Sequence, residues 1–360
     1  MNKITTRQMM LLTFAFLCAN TLMKGYSIHA GTGGWIALLI ATGFGLAFSL
    51  MIYRLTRIYP NSGFFEILNK LFGKVISKVL AFIYGAFCIL DGAVVASYMI
   101  SFVRQLSINE TLSIPFMVLL FFACITFALS KTDTVGRFSQ LSVPLIGALF
   151  LLCFVFSFFC EDFQNIRPFF KNGAGQFLKA TAYFSLSPFC AFVFLFPYLK
   201  DCRFLKKRNL LIPTLVSGAV LCASYALNAL ILGSNTISRM NYPSYMALSV
   251  LNISSFFQRI EIFLFTAFIL CDAIRLGIGL KFCADSLNYA FPCKWGKYYC
   301  VPAMFTTIIL AVTVFRETDE ILTVSGADLL VFGLLLFLVP FTAWVTAEIK
   351  RLFIAKRNNL

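Results

Sequence analysis

Tyr183-Phe184-Ser185-Leu186-Ser187-Pro188 lies in the middle of an apolar run from Leu178 to Leu199. Two serines and a proline at that depth conflict with a plain membrane-spanning helix. Proline carries no backbone N–H and disturbs the hydrogen bonds of the preceding turn, and lipid offers the freed carbonyls no donor. Two readings stand at this point. The serines can bond back onto their own helix and leave a kink, or the helix opens because it lines a cavity.

The rest of the chain sets that stretch in a membrane. The chain has 360 residues, 60% hydrophobic and 12% charged, which is too apolar to cover a soluble surface. A spanning helix needs about 20 apolar residues. By that measure the sequence predicts ten spans, at 8–28, 34–54, 79–103, 113–130, 139–160, 178–200, 210–233, 258–282, 299–316 and 327–348. The fold class expected is an all-α polytopic membrane protein forming a single integral domain over 1–360. The first apolar segment is too long for a secretory leader and is read as a retained helix.

Net charge is +15. In a soluble chain that would suggest nucleic acid, but here the basic residues occupy short loops between apolar runs, so no nucleic-acid partner is expected. With the N-terminus cytoplasmic, 21 Lys and Arg fall on that side and 7 on the other. The positive-inside rule then places both termini in the cytoplasm. The basic loop from Lys200 to Arg208 is read as attracted to anionic lipid. Between spans two and three, Phe64, Phe65, Ile67, Leu68, Leu71, Phe72, Val75 and Ile76 recur at helical spacing, predicting an interfacial helix.

Ionisable groups inside a span are expensive and mark candidate sites. Asp91 lies near the centre of span three and Asp272 near the centre of span eight, with Arg275 one turn beyond Asp272. Their structural alternative is that Arg275 simply pairs with one of the two acids and holds helices together. Asn20 and Thr21 fall near the middle of span one, at the depth of Pro188 in span six. Ten spans divide into halves of five, about 8–160 and 178–348, and an odd number per half forces opposite topology. Broken helices heading the two halves would meet at the midplane. The ligand-binding set expected there is Asn20, Thr21, Asp91, Tyr98, Phe184, Ser185, Ser187, Pro188 and Asp272. Arg259, Glu261 and Arg275 are assigned structural or coupling roles.

An enzyme is not expected. The sequence has no H-E-x-x-H, one histidine, no Gly-rich phosphate loop and no nucleophile–base constellation. The 12 cysteines are dispersed through apolar segments and read as small hydrophobic fillers, and neither metal nor cofactor is expected.

Several local patterns carry a family resemblance. They are Ile4-Thr5-Thr6-Arg7-Gln8, Trp35-Ile36-Ala37, Tyr59-Pro60 with Glu66-Ile67-Leu68 and Leu71-Phe72-Gly73-Lys74, Asp133-Thr134-Val135-Gly136-Arg137, Arg167-Pro168, and Tyr242-Pro243 with Arg259-Ile260-Glu261. In their order and spacing the chain resembles the GerAB-type B subunits of nutrient germinant receptors in endospore-forming bacteria. That family belongs to the amino acid-polyamine-organocation transporter superfamily, so the resemblance implies a LeuT-type fold of two inverted repeats with helices one and six broken. It also implies binding of a small nutrient such as an amino acid, in the spore inner membrane, beside an A subunit, a C lipoprotein subunit and membrane lipids. A secondary amino-acid or polyamine transporter is the competing function. One departure is Cys18-Ala19-Asn20-Thr21, which lacks the glycine that eases backbone opening in span one.

Overall fold

The computed structural model describes residues 4–19, 31–106, 113–157, 173–202, 204–237, 240, 242–249, 261–315 and 318–358. Among them the chain is almost wholly helical. In order they form α1 (Thr6–Cys18), α2 (Gly34–Ile58), α3 (Phe64–Phe72), α4 (Lys74–Leu106), α5 (Ser113–Leu129) and α6 (Thr132–Ser157). Then come α7 (Ala174–Phe184), a π-helical turn (Ser185–Phe189), a 3₁₀ stretch (Cys190–Leu195) and α8 (Phe196–Leu199). The chain closes with α9 (Arg208–Ile237), α10 (Pro243–Ser249), α11 (Glu261–Ala290), α12 (Cys300–Thr313) and α13 (Thr318–Asn358).

Six of the described helices hold a stretch long and apolar enough to cross a bilayer: α2, α4, α6, α9, α11 and α13. Shorter apolar helices lie at Thr6–Cys18, Ile114–Leu129 and Cys190–Leu199. Large aliphatic side chains such as Leu119, Leu141 and Leu151 are exposed on the outside of the bundle, as lipid-facing residues must be. This is a membrane protein.

Helix association without a water-driven hydrophobic effect relies on close backbone approach and interhelical hydrogen bonds. The α4–α11 seam uses both. A Cβ at Gly85 would sit 2.8 Å from Leu287, the Ser286 hydroxyl donates to the Ala81 carbonyl, and the Cys283 thiol reaches the Gly85 carbonyl at 3.4 Å. α2 and α9 meet where Gly218 faces Thr42, with space for no side chain between them.

One end of the bundle gathers the basic segments. The Ile4 amide donates to the Asp201 carbonyl at 3.2 Å, and Gln8 bonds Gln140 on α6 at 3.2 Å. Lys350 on α13 donates to the carbonyls of Lys70 and Leu71, and Tyr289 on α11 lies 3.3 Å from the Ser77 hydroxyl of α4. The beginning of α1, the turns before α4, α6, α9 and α12, and the end of α13 therefore share this basic end.

The expected interfacial helix is only partly one. α3 stops at Gly73, whose φ of 87° a side chain would strain, and Phe64, Phe65, Ile67 and Leu68 are buried against protein. Val75 and Ile76 belong instead to the start of α4 and are exposed.

Candidate functional site

Span six keeps its helical path through the Ser185–Pro188 stretch, but its hydrogen bonding changes twice. Pro188 sits inside a π-helical turn, the Cys190 amide returns to the Leu186 carbonyl, and the next six residues tighten into a 3₁₀ coil before α8 resumes. A widened turn accommodates the missing proline N–H, and the following amides take new acceptors. The break expected from the sequence is thus a change of helix type and not an unwound gap over 174–199. The Ser185 hydroxyl donates to the Thr181 carbonyl at 2.8 Å, so for this serine the back-bonded alternative holds. The side chain of Ser187 lies outside the described residues.

The π turn is held by small residues on its neighbours. A Cβ at Gly45 of α2 would fall 2.3 Å from the Phe189 ring, and one at Gly333 of α13 would fall 2.8 Å from Leu186. Phe184 packs edge-on against Tyr225 of α9 at 6.0 Å. The turn therefore sits between α2 and α13, and it also touches α1.

The charged residues form a separate centre between α4 and α11. Arg275 Nη2 donates to both oxygens of Asp91 at 3.3 Å, tying the two helices. Arg275 is 3% exposed and Asp91 17%, so the pair is reached from the acid's side. A guanidinium has five N–H donors. Among the described residues Arg275 Nε and Nη1 have no hydrogen-bond partner. The other face of the guanidinium lies over the Phe16 ring of α1, 5.5 Å from its centroid. Asp272, one turn along α11, is fully buried.

Aromatic layers close this centre on both sides. Toward the basic end, Phe194 of the 3₁₀ stretch meets Phe16 at 6.4 Å, Phe87 at 6.1 Å and Phe282 at 5.2 Å. Toward the far end, Phe102 packs against Tyr242 at 4.8 Å, Phe265 at 5.1 Å and Phe268 at 6.0 Å. Tyr98 belongs to that far layer. Its carbonyl accepts from the Tyr242 hydroxyl at 3.1 Å, and it stands seven residues, roughly 10 Å, beyond Asp91 along α4. It caps the centre from the far side.

The sequence-predicted set thus divides. Asp91 and Arg275 converge, with Asp272 one turn from Arg275 along α11, and Phe184, Ser185 and Pro188 lie together at the π turn. The end of α1 touches both groups. Arg275, assigned a structural role from sequence, has the free donors that a ligand site requires. Asn20, Thr21 and Arg259 lie outside the described residues, and Glu261 is described only as the first backbone position of α11. Phe16, Phe102, Phe194 and Phe268 were not singled out by sequence, and Tyr242 only as part of a family pattern. The i, i+4 spacing of Tyr98 with Phe102, and of Phe268 with Asp272, was the available signal.

A family model described as spore germination protein matches residues 3–320. The chain belongs to the spore germination protein family. It is similar to spore germination protein KB of Bacillus subtilis (strain 168), 23% identical over 325 residues that cover 88% of this chain and 87% of the relative. It is also similar to spore germination protein YndE of the same organism, 22% identical over 358 residues, 95% of this chain and 97% of the relative. Membership agrees with the resemblance read from the local patterns, and it makes this a germination-related, transporter-like membrane protein.

Proposed function

We propose that this spore germination protein is the transporter-like subunit of a nutrient germinant receptor, binding a small zwitterion such as an amino acid at the α4–α11 centre. The observation that carries the reading is Arg275, buried, ion-paired through Nη2 alone, with Nε and Nη1 unengaged among the described residues. A buried guanidinium with open donors suits a carboxylate, which it binds through charge-assisted hydrogen bonds. Asp91, the more accessible acid, and Asp272 are the counter-charges for an amine. Phe16 and Phe194 wall the site on one side and the Tyr98–Phe102 layer on the other. The π turn joins this site through the end of α1, and Asn20 and Thr21 continue that end. Binding favours one arrangement of the bundle by differential affinity, which passes the signal to the A and C subunits.

The architecture proposed with this function is ten spans in two inverted repeats, as in LeuT-type transporters. Return of the chain to the basic end between α2 and α4, α5 and α6, α8 and α9, α11 and α12, and again at the end of α13 supports ten crossings. The basic end is cytoplasmic by the positive-inside rule, with both termini there, in the spore inner membrane.

A secondary amino-acid or polyamine transporter using the same residues is the second reading. Asp272, a second carboxylate one turn from Arg275 along α11, favours it, because a further acid at that depth suits a second amine or a coupling proton.

Spores carrying Asp91→Asn or Arg275→Lys, with membrane protein levels matched to wild type, test the site. The expected result is a rise of at least about tenfold in the half-maximal germinant concentration, as loss of a charged hydrogen-bonding partner implies. An unchanged concentration dependence in both variants overturns the site. Substrate accumulation in proteoliposomes holding this chain alone would favour the carrier.

A further inference from the structure

A groove of about 590 Å³ runs between α2 and α13, lined by Phe44, Phe48, Met51, Phe337, Phe341 and Trp344 and closed at its basic end by Tyr53, Arg54 and Lys207. Its rings form a continuous ladder. Phe44 lies 6.4 Å from Phe48 and 5.3 Å from Phe337, Phe337 is 5.4 Å from Phe341, and Phe341 is 6.0 Å from Trp344. Phe337, Phe341 and Trp344 occupy one face of α13 over seven residues, so the wall rises roughly 10 Å along the helix. An apolar slot of that direction, opening sideways from a membrane bundle, accepts an acyl chain.

Its polar end is specific. Arg54 is 63% exposed and only loosely paired, its Nη1 3.7 Å from Glu348, which is equally far from Arg351. Among the described residues Lys207 makes no ion pair. With Arg351 the mouth carries three cations against the one carboxylate of Glu348.

We propose that this groove is a binding site for one anionic phospholipid, its acyl chain against the ladder and its phosphate between Arg54 and Lys207. The two helices that wall the groove also meet the π turn, α2 at Gly45 against Phe189 and α13 at Gly333 against Leu186. Lipid occupancy therefore bears on the helix pair that clamps the π turn.

Native mass spectrometry of the full-length protein, released from detergent with equimolar phosphatidylglycerol and phosphatidylcholine, tests this. The expected result is preferential retention of one phosphatidylglycerol, and a fall of that preference by about tenfold or more in Arg54→Gln/Lys207→Gln, two juxtamembrane cations being removed. Phe341→Ala is expected to lower retention of both lipids. Lys294→Gln/Lys297→Gln, equal in charge change but in the turn before α12, is expected to leave the preference intact and so controls for general surface attraction. Inorganic phosphate in excess is expected not to displace the lipid. Equal retention of the two lipids by wild type, or a preference untouched by the Arg54/Lys207 pair, overturns the proposal. So does loss of a co-purifying partner subunit in that pair with lipid retention unchanged, which would make the groove a protein interface.

Discussion

Asp91 and Arg275 answer at the level of single side chains why ionisable groups are tolerated inside this membrane protein. Each charge compensates the other across the α4–α11 seam, and the Phe16 ring covers one guanidinium face. Removing one partner strands the other, at a cost of about 3–5 kcal/mol, whereas neutralising both costs much less. Arg275→Gln is therefore expected to lower the melting temperature of the purified protein steeply, and Asp91→Asn/Arg275→Gln to recover much of the loss. A double variant as unstable as the sum of the singles would mean that the pair is not coupled. The positions of these charges were legible in the sequence because three ionisable side chains stand out inside apolar runs. The partner of Arg275 was not, since Asp272 and Asp91 were both in reach of a one-dimensional argument. Nor were the aromatic layers: among 43 phenylalanines no single one stands out.

At the scale of the element, span six shows how one proline can alter a helix without opening it. Pro188 was the signal, and the sequence placed the disturbance correctly, but the form it takes depends on Gly45 and Gly333, whose closeness to Phe189 and Leu186 arises only when α2 and α13 pack beside it. A π turn adds a residue to the turn, so everything after it is rotated relative to a regular helix, and Phe194 is thereby aimed at Phe16, Phe87 and Phe282. Pro188→Ala restores a donor and removes an intrinsic helix penalty of about 3 kcal/mol. The variant is expected to accumulate normally and to melt no lower than wild type, yet to need at least about tenfold more germinant in spores. A wild-type dose response would mean that the π turn is packing alone.

For the whole molecule, the gathering of basic segments at one end is what a count of lysines and arginines foretold, and the described contacts bring Ile4, Lys70, Gln140, Asp201, Tyr289 and Lys350 to that end. Charge bias is legible because it is additive over loops; which helices form the ligand site depends on how they pack, which no sum over loops contains. Cys293 provides a direct handle on orientation, being the exposed thiol in the turn before α12 at the basic end. A membrane-impermeant maleimide is expected to label it in inside-out vesicles and not from the external side of intact cells, with the signal lost in Cys293→Ser. Labelling from outside would invert the topology.

The charged centre also has an electrical meaning. Asp91, Asp272 and Arg275 sit in the membrane field with aromatic layers toward both ends, so any net charge that a ligand carries to them crosses part of the transmembrane voltage, worth about 2.3 kcal/mol per charge per 100 mV over the full thickness. An amino acid zwitterion carries none. A receptor built on this centre would sense its nutrient equally well in an energised membrane and in one with no potential at all, while a polyamine bound at the same place would have its affinity set by the voltage.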